Sequence, residues 1–283
     1  MVVFSFLHRL DERRFLGFPI WEFSLHSLAR QYGRLFIRQI VLRHPLRTLK
    51  GLRAYRRFSR RAAWDSGMVR LHDGAAADFR GAAGGAGGAF LVALGFCQKP
   101  LSPPCPSGRF THECAALARE DILTAASESF SAACRECDVR AIGKAALRAG
   151  ATFYVMTSAA AIARDLFIPT LAHRRFRYGL FLQCPYSMPA MALPLLICGI
   201  QAVLVGYDEG DCGDYAQFLL ADEGTKAERT FLAPSAHAHV LDFLTGVAAA
   251  REAEGRDQPG CFSREGVLYS PARTGLAGPF ALG

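Results

Sequence analysis

CRECDVRAIGKAALRAGATFYVMT, residues 134–157, is the stretch on which the fold turns. A CxxC pair, Cys134 and Cys137, leads into a short helical pattern over 139–149. Gly150 ends that pattern, and a β-rich run over 152–157 follows. Helix, glycine stop and strand in this order make half of a βαβ unit, so the two thiols are expected on a turn that feeds an α/β core.

Outward from there the alternation repeats. An apolar strand, AFLVALGF, starts at Ala89 and runs up to Cys97. Helices are expected over 119–132, 139–149, 158–167 and 187–199, with strands over 152–157, 177–183 and 202–207. Strands alternating with helices predict a parallel sheet. Residues 178–207, YGLFLQCPYSMPAMALPLLICGIQAVLVGY, hold no charged side chain. A membrane span needs about twenty consecutive apolar residues, whereas Gln183, Pro185, Pro189, Pro194, Gly199 and Gln201 cut this run into strand, helix and strand lengths. Central strands of a parallel sheet are apolar on both faces, and that is the better reading.

The fold class is therefore α/β: a parallel βαβ sheet core with cysteine-bearing loops, preceded by a basic α-helical N-terminal arm. Residues 1–72 hold 15 Lys+Arg against 4 Asp+Glu, leaving 18 against 21 in the remainder, so the net charge of +8 belongs to the arm. LRTLKGLRAYRRFSRR places Leu46, Leu49 and Leu52 on an apolar stripe with Arg53, Arg56, Arg57, Arg60 and Arg61 beside it. Residues 28–61 could rest on an anionic membrane surface or pack on the body of the protein; with no aromatic-interleaved motif, nucleic acid is disfavoured. Four segments follow: the basic arm over 1–74, a Gly/Ala-rich linker over 75–88, the cysteine-rich α/β core over 89–232, and a closing helix with a poorly ordered tail over 233–283. GAAGGAGG, residues 81–88, carries too much backbone entropy for a regular element and, with no Gly-Lys-Ser/Thr after it, is no phosphate loop.

Nine cysteines without a secretory leader point to reduced thiols in a cytoplasm, with peripheral membrane contact through the arm as an addition. Thiolates are soft ligands for zinc or an iron–sulfur cluster. Cys105, Cys114, Cys134 and Cys137 make the most economical quartet, with Cys97 a competitor and His112 a conceivable substitute. In open parallel sheets, ligands bind at the carboxyl ends of the strands, which gathers Cys97, Thr157, Ser158, Cys184 and Cys212 along one edge. Cys184 and Cys212 are serviceable as ligands or as nucleophiles, and His173 is the one central candidate base. Asp208, Glu209, Asp211, Asp214, Asp222 and Glu223 read as helix caps and a solvated rim. Cys198 reads as a core residue and Cys261 as incidental.

CPSGRF around Cys105, CRECDVRAIGKAALRAGATFYVMTSA, Cys-Pro-Tyr at 184–186 and GDCGDYAQFLLADEGTKAERT together resemble the cysteine-rich proteins of domain-of-unknown-function family 116, over about residues 90–231. The resemblance implies a cytoplasmic metal or iron–sulfur binder acting as companion of a radical-chemistry enzyme, with Cys97, Cys105, Cys114, Cys134, Cys137, Cys184 and Cys212 as the family-like cysteines. The chain departs from that pattern at Arg140, where a further cysteine would stand. The first functional expectation is thus a protein holding an iron–sulfur cluster and serving in electron transfer or beside a radical enzyme. Two alternatives stand next to it: an interaction protein with a structural zinc and a docking arm, and a thiol-dependent enzyme using Cys184 or Cys212.

Overall fold

The computed structural model describes residues 31–60, 62 and 67–272. The chain enters through α1 (Gln31–Leu35), which continues as a π turn over Phe36–Val41, and α2 (Pro45–Ser59). Next come β1 (Met68–Arg70), α3 (Ala76–Ala86), β2 (Phe90–Gly95), the one-turn α4 (Ala132–Arg135), α5 (Asp138–Arg148) and β3 (Thr152–Met156). The second half holds α6 (Ala159–Ile162), a π turn over Ala163–Phe167, α7 (Ile168–His173), β4 (Tyr178–Gln183), α8 (Met188–Cys198) and β5 (Gln201–Gly206). It closes with α9 (Tyr215–Asp222), α10 (Pro234–Ala253), β6 (Cys261–Glu265) and β7 (Leu268–Ala272).

These strands form one seven-stranded sheet in the order β1-β5-β4-β2-β3-β7-β6. The four central strands run parallel, and β1, β7 and β6 add antiparallel edges. Successive residues of a strand face opposite sides, and both sides are buried. Phe90, Val92 and Leu94 of β2 meet α3, α5 and α10 through Phe79, Val139, Ile142 and Leu244, whereas Leu91 and Ala93 meet the other layer through Tyr55, Phe167, Met188 and Leu195. Burying each such Leu, Val or Phe side chain contributes roughly 1.5–3 kcal/mol. Two-sided burial is why the uncharged run over 178–207 is strand β4, helix α8 and strand β5. Among the described residues no helix is long and apolar enough to cross a membrane.

Three expectations need correction. The segment read as a flexible linker contains α3, and its glycines serve packing: a Cβ on Gly84 would lie 3.0 Å from Val247 O and 3.2 Å from Arg251 N. A glycine inside a helix costs about 0.5–1 kcal/mol against alanine, a cost offset by laying α3 directly on α10. The helix expected over 119–132 is a series of turns, such as Ala125 N–H to Asp121 O at 2.7 Å, with a single 3-10 turn over Ser127–Ser129 and α-helix only from Ala132. Finally, the supposed tail supplies β6 and β7, whose register pairs Ser263 with Ser270 and joins β3 at Phe153–Tyr269. Cys261 is accordingly buried in a strand.

The arm differs in orientation. Helix α2 packs on α8 through Thr48, Gly51 and Tyr55, where a Cβ on Gly51 would come within 2.5 Å of Ile197 Cγ1. Leu52 packs at the margin, while Leu46 and Leu49, the other members of the apolar stripe, stand exposed. Small size at Gly51 lets the backbones approach, and this closeness selects the buried face over leucine periodicity. Leu28 and Arg61 of the expected amphipathic region lie outside the described residues.

Candidate functional site

Strand β2 lies between β3 and β4, so the chain leaves β2 to one side and returns on the other. Such a switch point opens a crevice beyond the carboxyl ends of the strands. The last cross-strand pair of β2 and β4 is Leu94 with Leu182. Beyond it the Tyr207 phenol is inserted: its hydroxyl accepts from Gly95 N–H at 2.8 Å and donates to Leu182 O at 2.7 Å. Burial holds Tyr207 protonated, far above the usual phenol range, so it can donate throughout the accessible pH range.

Three thiols reach this opening: Cys97 just past β2, Cys184 at the end of β4, and Cys212 from the loop after β5. All three line one largely apolar cavity of about 90 Å³ together with Thr157, Gln183 and Tyr32. The convergence expected from strand alternation is therefore present for Cys97, Thr157, Cys184 and Cys212. Ser158, by contrast, caps α6, its hydroxyl accepting from Ala161 N–H at 3.1 Å.

The electrostatics of the three differ. Cys97 is buried and accepts from Thr230 Oγ1 at 3.2 Å, but burial outweighs that bond and raises its pKa. Cys184 and Cys212 share a hydrogen bond between their sulfurs, which raises Cys184 and lowers Cys212. The Cys184 thiol donates, and this is the main cause of the lowering at Cys212; burial opposes it. The Lys226 ammonium, 3.5 Å from Cys212 Sγ, lowers it further. Lys226 is 3% exposed and also donates to Gly210 O. A buried ammonium needs a counter-charge, and Cys212 as thiolate supplies one.

Lys226 is held from the segment between β2 and α4, for Arg109 donates to Lys226 O and Glu228 O. The Gln183 side-chain nitrogen, in a cavity-lining residue only 5% exposed, has no hydrogen-bond acceptor among the described residues. An unpaired buried donor costs on the order of 1–3 kcal/mol and points to a ligand or water acceptor in the cavity.

The quartet Cys105, Cys114, Cys134 and Cys137 gathers elsewhere, while Cys198 lies at the end of α8 and Cys261 in β6. Cys137 precedes α5 and Cys134 sits in α4. The Lys99 ammonium lies within electrostatic reach of Cys105, Cys114 and Cys137, and Cys134 neighbours Cys137. Its hydrogen bonds, however, go to Gly108 O (3.1 Å), Thr111 O (2.8 Å), Thr111 Oγ1 (3.1 Å) and Glu113 O (2.7 Å). The segment over 108–113, between the candidate ligands Cys105 and Cys114, thus wraps a lysine. Burial pushes Cys114 up to about 12 and also raises Cys137. Among the described residues no group of three or more His, Cys, Asp or Glu side chains is arranged to hold a metal ion.

His112 is not with this quartet. Its Nδ1 lies 2.8 Å from Val155 O and its Nε2 3.2 Å from Thr157 Oγ1, with the ring stacked on Tyr154. His173 stands exposed at the end of α7, away from the cavity lining. Of the acidic rim, Asp214 accepts from Gln217 N–H at the start of α9, Asp208 from Ala233 N–H at the start of α10, and Asp222 from Ala159 N–H.

Sequence reasoning missed Lys226, Gln183, Thr230 and Tyr207. Each is an ordinary polar residue whose significance comes from distant contacts, and no local pattern marks it. Comparison of the chain with protein-family models, with curated proteins and with solved structures gave no match.

Proposed function

We propose that the protein is a thiol-dependent enzyme whose Cys184–Cys212 pair exchanges with a disulfide substrate. The observation that carries this reading is the Cys212 sulfur flanked by the Cys184 thiol and the Lys226 ammonium in the wall of a cavity. A thiolate is the attacking species in exchange, and a pKa near ambient pH favours it.

Cys212 thiolate attacks one sulfur of R–S–S–R′, the substrate disulfide breaks, and R′S⁻ leaves with the proton from Cys184. The Cys184 thiolate then attacks Cys212 Sγ in the mixed disulfide and releases RS⁻, which takes a proton from water. The products are a Cys184–Cys212 disulfide and two thiols, with the substrate disulfide reduced by two electrons. Gln183 offers its free N–H to an acceptor on the substrate, and the apolar wall takes a small non-polar group beside the sulfur.

Incubation of the full chain with a low-molecular-weight disulfide at neutral pH, followed by peptide mapping, is expected to yield a Cys184–Cys212 cross-link. Cys212→Ser should give no mixed disulfide at position 184, and Cys184→Ser should trap one at Cys212. Random modification of all nine cysteines would contradict the reading.

The competing proposal is a thiolate-bound iron–sulfur cluster, or zinc, in an electron-transfer protein or radical-enzyme companion. It is favoured by the gathering of Cys97, Cys184 and Cys212 at one strand edge. Stoichiometric iron with acid-labile sulfide, or one zinc per chain, in protein purified without oxygen would favour that proposal over the exchange reaction.

A further inference from the structure

Four of the exposed large hydrophobic residues, Ile37, Leu42, Leu46 and Leu49, fall within thirteen positions of the arm. Leu42 is 68% exposed, Leu46 82% and Leu49 46%. Along α2, at about 100° per residue, Leu46, Leu49, Lys50, Arg53 and Arg57 share an arc of roughly 100°. This arc lies opposite Thr48, Gly51 and Tyr55, the face committed to α8. Residues 31–60 contain nine Lys+Arg and no Asp or Glu. None of the exposed cations on α2 pairs with an acidic side chain among the described residues.

We infer that this outward face of residues 37–57 docks on an anionic lipid bilayer surface. A cluster of leucines in water is a feature to be covered, and the cations between them dictate the chemistry of the cover. Nucleic acid would satisfy the arginines through its phosphates but gives three protruding leucines nothing to enter. An anionic bilayer satisfies both, since leucine side chains enter the acyl boundary while Lys50, Arg53 and Arg57 meet the headgroups. Upstream in the sequence stand Phe15, Phe18, Trp21 and Phe23, side chains of the kind that settle at a membrane–water boundary. Chain order thus places aromatic, apolar and basic groups next to one another, with the charge needed to choose anionic lipid. The inference is independent of the thiol chemistry, although the same arm contributes Tyr32 to the wall of that cavity.

The test is co-sedimentation of the full chain with phosphatidylcholine vesicles with and without phosphatidylserine. Binding to the serine-containing vesicles is expected, roughly tenfold or more above that to phosphatidylcholine alone, and weakening as salt rises. The double variants Leu46→Ser/Leu49→Ser and Arg53→Gln/Arg57→Gln should each reduce partitioning about tenfold. Melting curves should stay unchanged, because these positions are exposed. Leu101→Ser, at an exposed leucine outside the arm, should bind like the natural chain. No sedimentation, equal binding to both vesicle types, retention of binding in the arm variants, or displacement of the chain from vesicles by duplex RNA would overturn the proposal.

Discussion

Lys99 and Lys226 are both buried lysines set among cysteines, yet they are bound differently. Lys99 gives its hydrogen bonds to three backbone carbonyls and a threonine hydroxyl, and the thiols around it are neighbours only. Lys226 gives one bond to a carbonyl and another to the Cys212 sulfur. A cation enclosed by carbonyl oxygens organises a loop. A cation in contact with a sulfur changes what that sulfur can do. Nearness to a cysteine is therefore a poor guide to chemistry, and the atom that receives the hydrogen bond is a good one.

Lys99→Met should have the largest effect and a purely structural one. It leaves buried acceptors over 108–113 unpaired and should destabilise the fold by about 2–4 kcal/mol, read from the urea midpoint. Alkylation of Cys212 in the folded variant should not change. Loss of Cys212 reactivity at full stability would break the distinction.

Lys226→Met should do the reverse. With its ammonium gone, Cys212 rises towards the ordinary thiol range near 8.5, and its alkylation rate at neutral pH should fall about tenfold. The sign follows from the lowered pKa: thiolate is lost as pH falls through that value, so the variant's pH–rate curve moves to higher pH.

An effect of the same sign, and at least as large on Cys212, is expected at the partner thiol. Cys184→Ala removes the main cause of the lowering at Cys212, whereas Cys184→Ser keeps an O–H donor and should restore most of the reactivity, an ordering that competitive labelling would read. Smallest of all, Cys105→Ser should leave both stability (within about 0.5 kcal/mol) and Cys212 labelling unchanged, since Cys105 is only partly buried in a surface loop. Cys114, pushed up to about 12 by burial, should resist alkylation across the neutral range.

The same distinction explains which features the sequence made legible. Strands β2 to β5 and helices α5 and α8 were readable because glycine, proline and polarity punctuate apolar runs at element length. The edge bearing Cys97, Thr157, Cys184 and Cys212 followed from parallel topology alone. Helix α3 was hidden because glycine content is ambiguous: Gly84 is there for its contact with α10, 163 positions away at Val247, and no local pattern reports that. The outward turn of Leu46 and Leu49 was hidden for the same reason, through Gly51 against Ile197. The CxxC motif drew attention to Cys134 and Cys137 by spacing, while Lys226, the cation beside Cys212, sits in a polar turn where no spacing singles it out.

The most direct measurement is the pH dependence of alkylation at Cys212, quantified by peptide mapping in the natural chain, in Lys226→Met and in Lys99→Met. A midpoint below the ordinary thiol range in the natural chain and in Lys99→Met, moved upward in Lys226→Met, is the predicted result. Coincident curves for all three proteins, with a midpoint at the ordinary thiol value, would contradict the account.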